Sequence, residues 1–154
     1  MPSLTRRRSQ DSAQESWRIF YGDVPVGSIG IRTGVPTKAD QWGWRCGFYP
    51  GMEPGQHREG SAKTFGSARA AFLFAWRHVL PSLAEANFEA YRREYAFHKW
   101  RRRMWDEGLK LPTQLASGQS KCFCGIAINL ENTEQHVYKT HMDLYEIRRG
   151  PRAC

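Results

Sequence analysis

The spacing of apolar residues along the chain divides it into a strand-like part and a helical part. Trp17-Arg18-Ile19-Phe20-Tyr21 reads as a strand, Gly22-Asp23 as a turn, and Val26-Gly27-Ser28-Ile29-Gly30-Ile31 as a second strand that mixes apolar with small residues. After the loop Gly34-Val35-Pro36, the run from Trp42 to Tyr49 alternates with period two. Trp42, Trp44, Cys46 and Phe48 fall on one face, and Gly43, Arg45, Gly47 and Tyr49 on the other. The aromatic face suits a core covered by the next helix or a platform for stacking bases. A small sheet must bury something, which favours the core.

From Phe65 the period lengthens. Phe65, Ala68, Phe72, Ala75, Trp76 and Val79 stand at helical spacing and predict a helix from about Phe65 to Leu80, ended by Pro81. Ser82-Leu83-Ala84-Glu85 reads as a capping box that opens a second helix running to about Glu107, with Gly108 as its stop. That helix has two apolar faces, Phe88, Tyr91 and Tyr95 against Ala86, Ala90, Phe97 and Met104. Between them runs a basic stripe of Arg92, Lys99 and Arg103, with Arg101 and Arg102 beside it.

Composition narrows the class. The chain has 154 residues, 40% of them hydrophobic, and six tryptophans, enough for a packed core. The opening residues are basic but lead into no apolar run, and nowhere do about 18 apolar residues follow one another. Neither a signal peptide nor a membrane span is therefore expected, and the cytoplasm is the expected location. In a reducing compartment cysteines favour metal over disulfide. The formal charge of +8 is concentrated: residues 61–110 carry ten basic and five acidic groups. Arg6-Arg7-Arg8 adds a basic run near the start, readable as a solvated tail or as an arm along a phosphate backbone.

The densest chemistry lies at Lys121-Cys122-Phe123-Cys124-Gly125 and continues to His136 and His141. Cys122, Cys124, His136 and His141 follow the spacing C-x-C-x11-H-x4-H. Two thiolates and two imidazoles can surround a zinc ion tetrahedrally and staple a segment with little core of its own. Ile126, Ile128 and Leu130 offer a short strand. Asn132-Thr133-Glu134-Gln135 reads as a capping box opening a helix from Thr133 to about Ile147. The stretch resembles a two-cysteine, two-histidine zinc finger and departs from it twice. The cysteines are one residue apart, which needs a tight knuckle that Gly125 makes possible. The histidines are five apart, which needs a distorted last helical turn. Such a closed donor set implies structural zinc.

The expected fold is α+β: a small antiparallel three-stranded sheet packed by two helices, then a zinc-stapled ββα-like module. The expected divisions are a flexible basic arm over 1–15, a sheet-plus-helices domain over 16–115, a linker over 116–120, the finger-like module over 121–147 and a basic tail over 148–154.

Other motifs are weaker. Lys63 and Thr64 could hold one phosphate at a helix start, but His57 and Ala62 stand where a phosphate-binding loop needs its glycines, and Thr64 also suits a plain N-cap. No nucleophile elbow or zinc-protease motif is present, and His57, His78 and His98 have no evident catalytic partners, so no enzyme and no small-molecule substrate are expected. Gly43-Trp44-Arg45-Cys46-Gly47-Phe48-Tyr49-Pro50-Gly51, the helix from Ala70-Ala71-Phe72 to Trp76 and the Cys-x-Cys-Gly knuckle resemble short bacterial proteins of rhizobium-like organisms, a likeness that implies no particular activity.

Two functions fit this reading. One is a nucleic-acid-binding accessory or regulatory protein whose Arg92, Lys99, Arg101, Arg102 and Arg103, with Arg6, Arg7 and Arg8, neutralise phosphates. The other is an adaptor that docks a protein partner through its zinc module and aromatic surface. The segment 121–146 carries more acidic than basic groups, so a finger that reads DNA by itself is not expected.

Overall fold

The computed structural model describes residues 2–145 and the backbone of Arg152 and Ala153. It forms two compact units, one built on Met1–Tyr91 and the other on Arg92–Ile147.

The first unit holds an antiparallel sheet of β1 (Leu4–Arg8), β2 (Ser16–Tyr21), β3 (Val24–Ile31), β4 (Trp42–Cys46) and β5 (Arg58–Ala62), in the order β5-β4-β3-β2-β1. The two-residue strand Arg152–Ala153 pairs with β1. The sheet is therefore wider than the three strands expected. Leu4–Arg8, read as part of a flexible arm, is a strand paired residue for residue with β2. Arg58–Ala62, read as loop, closes the other side against β4.

One face is covered by α1 (Phe65–Val79), which follows the predicted stripe: Ala68, Phe72, Ala75, Trp76 and Val79 are buried. They meet Ile19, Val24, Val26, Ile29, Cys46 and Phe48 of the sheet side. Burying an aromatic or branched aliphatic side chain stabilises by about 1.5–3 kcal/mol, so this layer supplies most of the unit's stability. Trp42 of β4 packs edge-on against Phe65, ring centroids 5.3 Å apart. With Cys46 and Phe48 buried, the aromatic face of the strand is core. Thr64 caps α1 by accepting from the Ser67 N–H, the plainer of its two readings.

The helix α2 (Glu85–Asp106) belongs to both units. The predicted Ser82 capping box does not form. Ser82 lies in a 3-10 turn and donates to the Val79 carbonyl, while the Asn87 carboxamide accepts from the Ala84 N–H at 2.7 Å. Phe88 stacks on Phe48, centroids 5.2 Å apart. The helix closes at Gly108, where the Leu109 N–H reaches the Met104 carbonyl at 2.8 Å.

The second unit takes the remainder of α2 and adds a hairpin, β6 (Gln119–Lys121) and β7 (Ala127–Asn129), followed by α3 (Thr133–Thr140). The segment read as linker thus already enters β6. Its core is small: Trp100, Met104, Cys122, Ile128 and Val137, with Phe97, Leu109, Leu111, Phe123, Tyr138 and Leu144 packed around them.

Candidate metal centre

The hairpin brings the cysteines together. Lys121 pairs with Ala127, and the five residues between them form the knuckle. The Cys122 N–H donates to the Ile126 carbonyl at 2.9 Å and the Gly125 N–H to the Cys122 carbonyl at 2.8 Å. Gly125 takes φ +92°, a conformation L side chains resist, so a one-residue gap between the thiols is feasible here.

The histidines come from α3, but not as expected. The helix ends at Thr140 rather than near Ile147, which itself lies outside the described residues. His136 is in the helix; His141 is its C-cap, at φ −121° and ψ 21°, with its N–H still donating to the Val137 carbonyl at 2.8 Å. Leaving helical geometry at that residue turns the second imidazole back over the first, with ring centroids 5.0 Å apart. The five-residue spacing is accommodated by ending the helix, not by widening it. The predicted Asn132 capping box is also absent. Asn132 accepts from the Asn129 N–H at 2.8 Å, and Asn129 in turn accepts from the Glu131 and Asn132 N–H groups at 2.9 Å each.

The result is convergence of all four predicted ligands: one donor atom from each of Cys122, Cys124, His136 and His141 lies within 4.8 Å of the others. Cys122 Sγ is 3.3 Å from His141 Nε2, and Cys124 Sγ is 3.5 Å from His136 Nε2. A tetrahedral ion with bonds of about 2.3 Å to sulfur and about 2.0 Å to nitrogen would set such atoms about 3.5 Å apart. The donor set therefore fits a small ion with a preference for sulfur and nitrogen.

The surroundings prepare the donors unequally. Cys122 and His141 are buried, Cys124 is exposed and His136 lies between. Burial pushes the Cys122 thiol above its ordinary value, opposed by the Cys124 backbone N–H and the Trp100 indole and reinforced by the Cys124 thiol. Burial likewise lowers His141, as does the neighbouring His136 charge; Asp143 raises it and Arg103 lowers it. Its ring is thus favoured in the neutral form that ligates, whereas the Cys122 proton must leave when a cation enters.

Trp100 is a member of the site that sequence reading missed. Its indole Nε1–H donates to Cys122 Sγ at 3.2 Å across 22 positions of sequence, and no local motif announces such a partner. Phe123, between the cysteines, is packed on one side by His141, centroids 4.6 Å apart, and on the other by the Arg103 guanidinium, 3.9 Å from its ring.

The basic residues are dispersed. Arg101 contacts His98 Nδ1 at 2.9 Å and lies over Phe97; Arg102 pairs with Asp106 at 3.2 Å and Arg103 with Glu107 at 3.7 Å. Arg92 and Lys99 also have partners. In the other unit, Arg6 is tucked under the helix layer, its guanidinium 4.6 Å from the Trp17 ring and 4.8 Å from that of Phe65. Arg7 lies on the opposite face of the sheet over Phe20, and Arg8 is exposed at the end of β1.

Comparison of the chain with protein-family models, with curated proteins and with solved structures finds no match. The finger-like reading therefore stands on the geometry of the four ligands. Among the described residues no helix is long and apolar enough to cross a membrane.

Proposed function

We propose that the chain is a nucleic-acid-binding accessory protein of the cytoplasm, in which Cys122, Cys124, His136 and His141 hold a structural zinc ion. The observation that carries the zinc reading is the closure of two sulfurs and two ring nitrogens around one point. A set of four protein donors leaves no position for water or substrate, so the ion would staple and not catalyse. It would tie β6, β7 and α3 together in a unit whose own core is only a few side chains.

The nucleic-acid part is supported by the net charge of +8. The ion pairs of Arg102 and Arg103 are exposed, and exposed pairs are worth about 0–1 kcal/mol, so phosphate can compete with them. An adaptor role is the second reading, favoured by Trp105, Leu130 and Ile126, which are 70%, 62% and 52% exposed.

Elemental analysis should return one zinc per chain. Affinity for nucleic acid should fall steeply with salt, because each neutralised phosphate releases counterions. Affinity that stays flat from low to physiological salt, with one protein co-purifying after nuclease treatment, would replace this reading by the adaptor.

A further inference from the structure

The helix-free face of the sheet carries an arrangement visible only through strand register. Arg7 of β1 stands opposite Arg18 of β2, Arg18 opposite Ser28 of β3, and Ser28 opposite Arg45 of β4. Four residues far apart in the chain thus form one straight row across four strands, three of them arginines. Alongside runs a second row, Ser16, Gly30, Gly43 and Ser61, composed only of small side chains. Beyond it, the Arg32 side chain lies over Gly43, where an added Cβ would come within 3.2 Å of its Cγ, and its guanidinium donates to the Asp40 carbonyl at 2.9 Å. Small residues form the floor of an open trough of about 480 Å³ bordered by Arg32, Arg45 and Glu59, and Arg18 and Arg7 continue the row beyond it.

We propose that this face is the phosphate-binding surface of the protein and that it binds the backbone of a DNA duplex, with the row of arginines laid across the rims of the major groove. The inference rests on the nucleic-acid reading above and specifies where that binding occurs.

Charge complementarity supports a polyanion. Among the described residues Arg7 and Arg18 have no carboxylate partner. Both guanidiniums are seated over the Phe20 ring, at 5.6 and 5.9 Å, which holds them in place without neutralising them. The face has two acidic groups near its β5 edge. Glu59 pairs with Arg45 at 3.6 Å, with both side chains more than 70% exposed, and Asp40 accepts from the Ser61 hydroxyl at 3.0 Å. Small floor residues allow a phosphodiester to approach the backbone, and the Ser16 and Ser28 hydroxyls can donate to it.

Width and the placing of aromatics favour a duplex. Arg7 and Arg45 stand three strand spacings apart, about 14 Å, close to the roughly 12 Å width of the major groove. Single-strand binders stack bases on exposed rings. Here Phe20 is only 7% exposed beneath its two arginines, and Trp44, which borders the trough, is half-buried with its ring against Gly60.

The test is fluorescence anisotropy of the zinc-loaded full chain with a labelled DNA duplex of about 20 base pairs, titrated at several salt concentrations. The R7Q/R18Q/R45Q variant should lower the slope of log affinity against log salt by about 2.7 and R18Q/R45Q by about 1.8, at roughly 0.9 per lost phosphate contact. Arg18 is exposed and the Arg45 side chain is 81% exposed, so the double variant should keep the wild-type circular dichroism and melting temperature. A control variant on the opposite, helix-covered side, R77Q at an exposed position of α1, should bind as wild type. If the wild type binds and the sheet variants keep its slope, this surface is wrong while the nucleic-acid reading survives. Tighter binding to the matching single strand than to the duplex overturns the choice of ligand. A wild type that binds neither overturns both proposals.

Discussion

The indole nitrogen of Trp100 lies 3.2 Å from Cys122 Sγ, and both side chains are almost wholly buried. An N–H aimed at sulfur in a dry environment stabilises the thiolate over the thiol and fixes the direction of its lone pairs. It links the helix that fills the core of the second unit to the side chain that would ligate the metal.

Removing that donor while keeping an aromatic ring should weaken metal binding beyond the packing lost with the smaller ring. For Trp100→Phe, zinc affinity is expected to fall about 10- to 100-fold, the range for losing an outer-shell hydrogen bond to a ligand. Competition with a chromophoric chelator measures it; an unchanged affinity would show the contact to be packing alone.

Taking the metal away should unfold one unit and spare the other. With Cys122→Ser, or after chelation, amide exchange should become fast across 119–145 while β2, β3 and β4 stay protected. Binding of structural zinc in finger peptides is worth on the order of 10 kcal/mol, more than the five buried side chains of this core can replace. Exchange read by mass spectrometry decides it, and uniform protection without metal would remove the stapling role.

Cys46 should behave as a sealed thiol. It is 1% exposed, and burial pushes its pKa from 9.0 up to about 12 against the opposing pull of Arg58. The folded state keeps the proton where the unfolded state loses it. The corresponding stability is therefore intact below about pH 9 and declines between 9 and 12. Relative to Cys46→Val, the wild type should lose about 1.4 kcal/mol per pH unit in that window. Urea titrations at pH 8, 9 and 10 test the slope. Iodoacetamide should reach Cys46 only on unfolding.

Gly27 should tolerate no side chain. A Cβ there would sit 2.0 Å from the Arg45 carbonyl oxygen and 2.6 Å from the Phe72 ring, at φ +155°. Neither β4 nor α1 can retreat without opening the core, so Gly27→Ala should cost more than about 4 kcal/mol. Gly34, with nothing within 4 Å, is the contrast: its alanine variant should cost only about 1–2 kcal/mol for the left-handed backbone. A mild loss at Gly27 in urea titration would mean the strands can separate locally.

The elements that reading the residues recovered and those it missed differ in kind. The stripe of Phe72, Ala75, Trp76 and Val79 is a local periodicity, and α1 follows it to within a residue. β1 and β5 have the sequences Leu-Thr-Arg-Arg-Arg and Arg-Glu-Gly-Ser-Ala, with almost no strand-forming side chains. They are strands because β2 and β4 present open hydrogen-bonding edges, and on β5, an outer strand, charge is a common means of discouraging further pairing. The start of α2 shows the same limit. Ser82 has the right residue type and spacing for a cap, but the Asn87 carboxamide accepts there instead and itself donates to the Gly51 carbonyl at 2.6 Å.

Residue types and short spacings alone determined the four candidate ligands, the knuckle glycine and the core stripe of the first helix, because each depends on neighbours within a few turns of chain. Only the tertiary structure decided that His141 leaves its helix to face Cys122, that Trp100 donates to that sulfur, and that Arg7, Arg18 and Arg45 stand in one line. Those relations are set by packing and by strand register, in which a shift of one residue would send every arginine of the row to the other face.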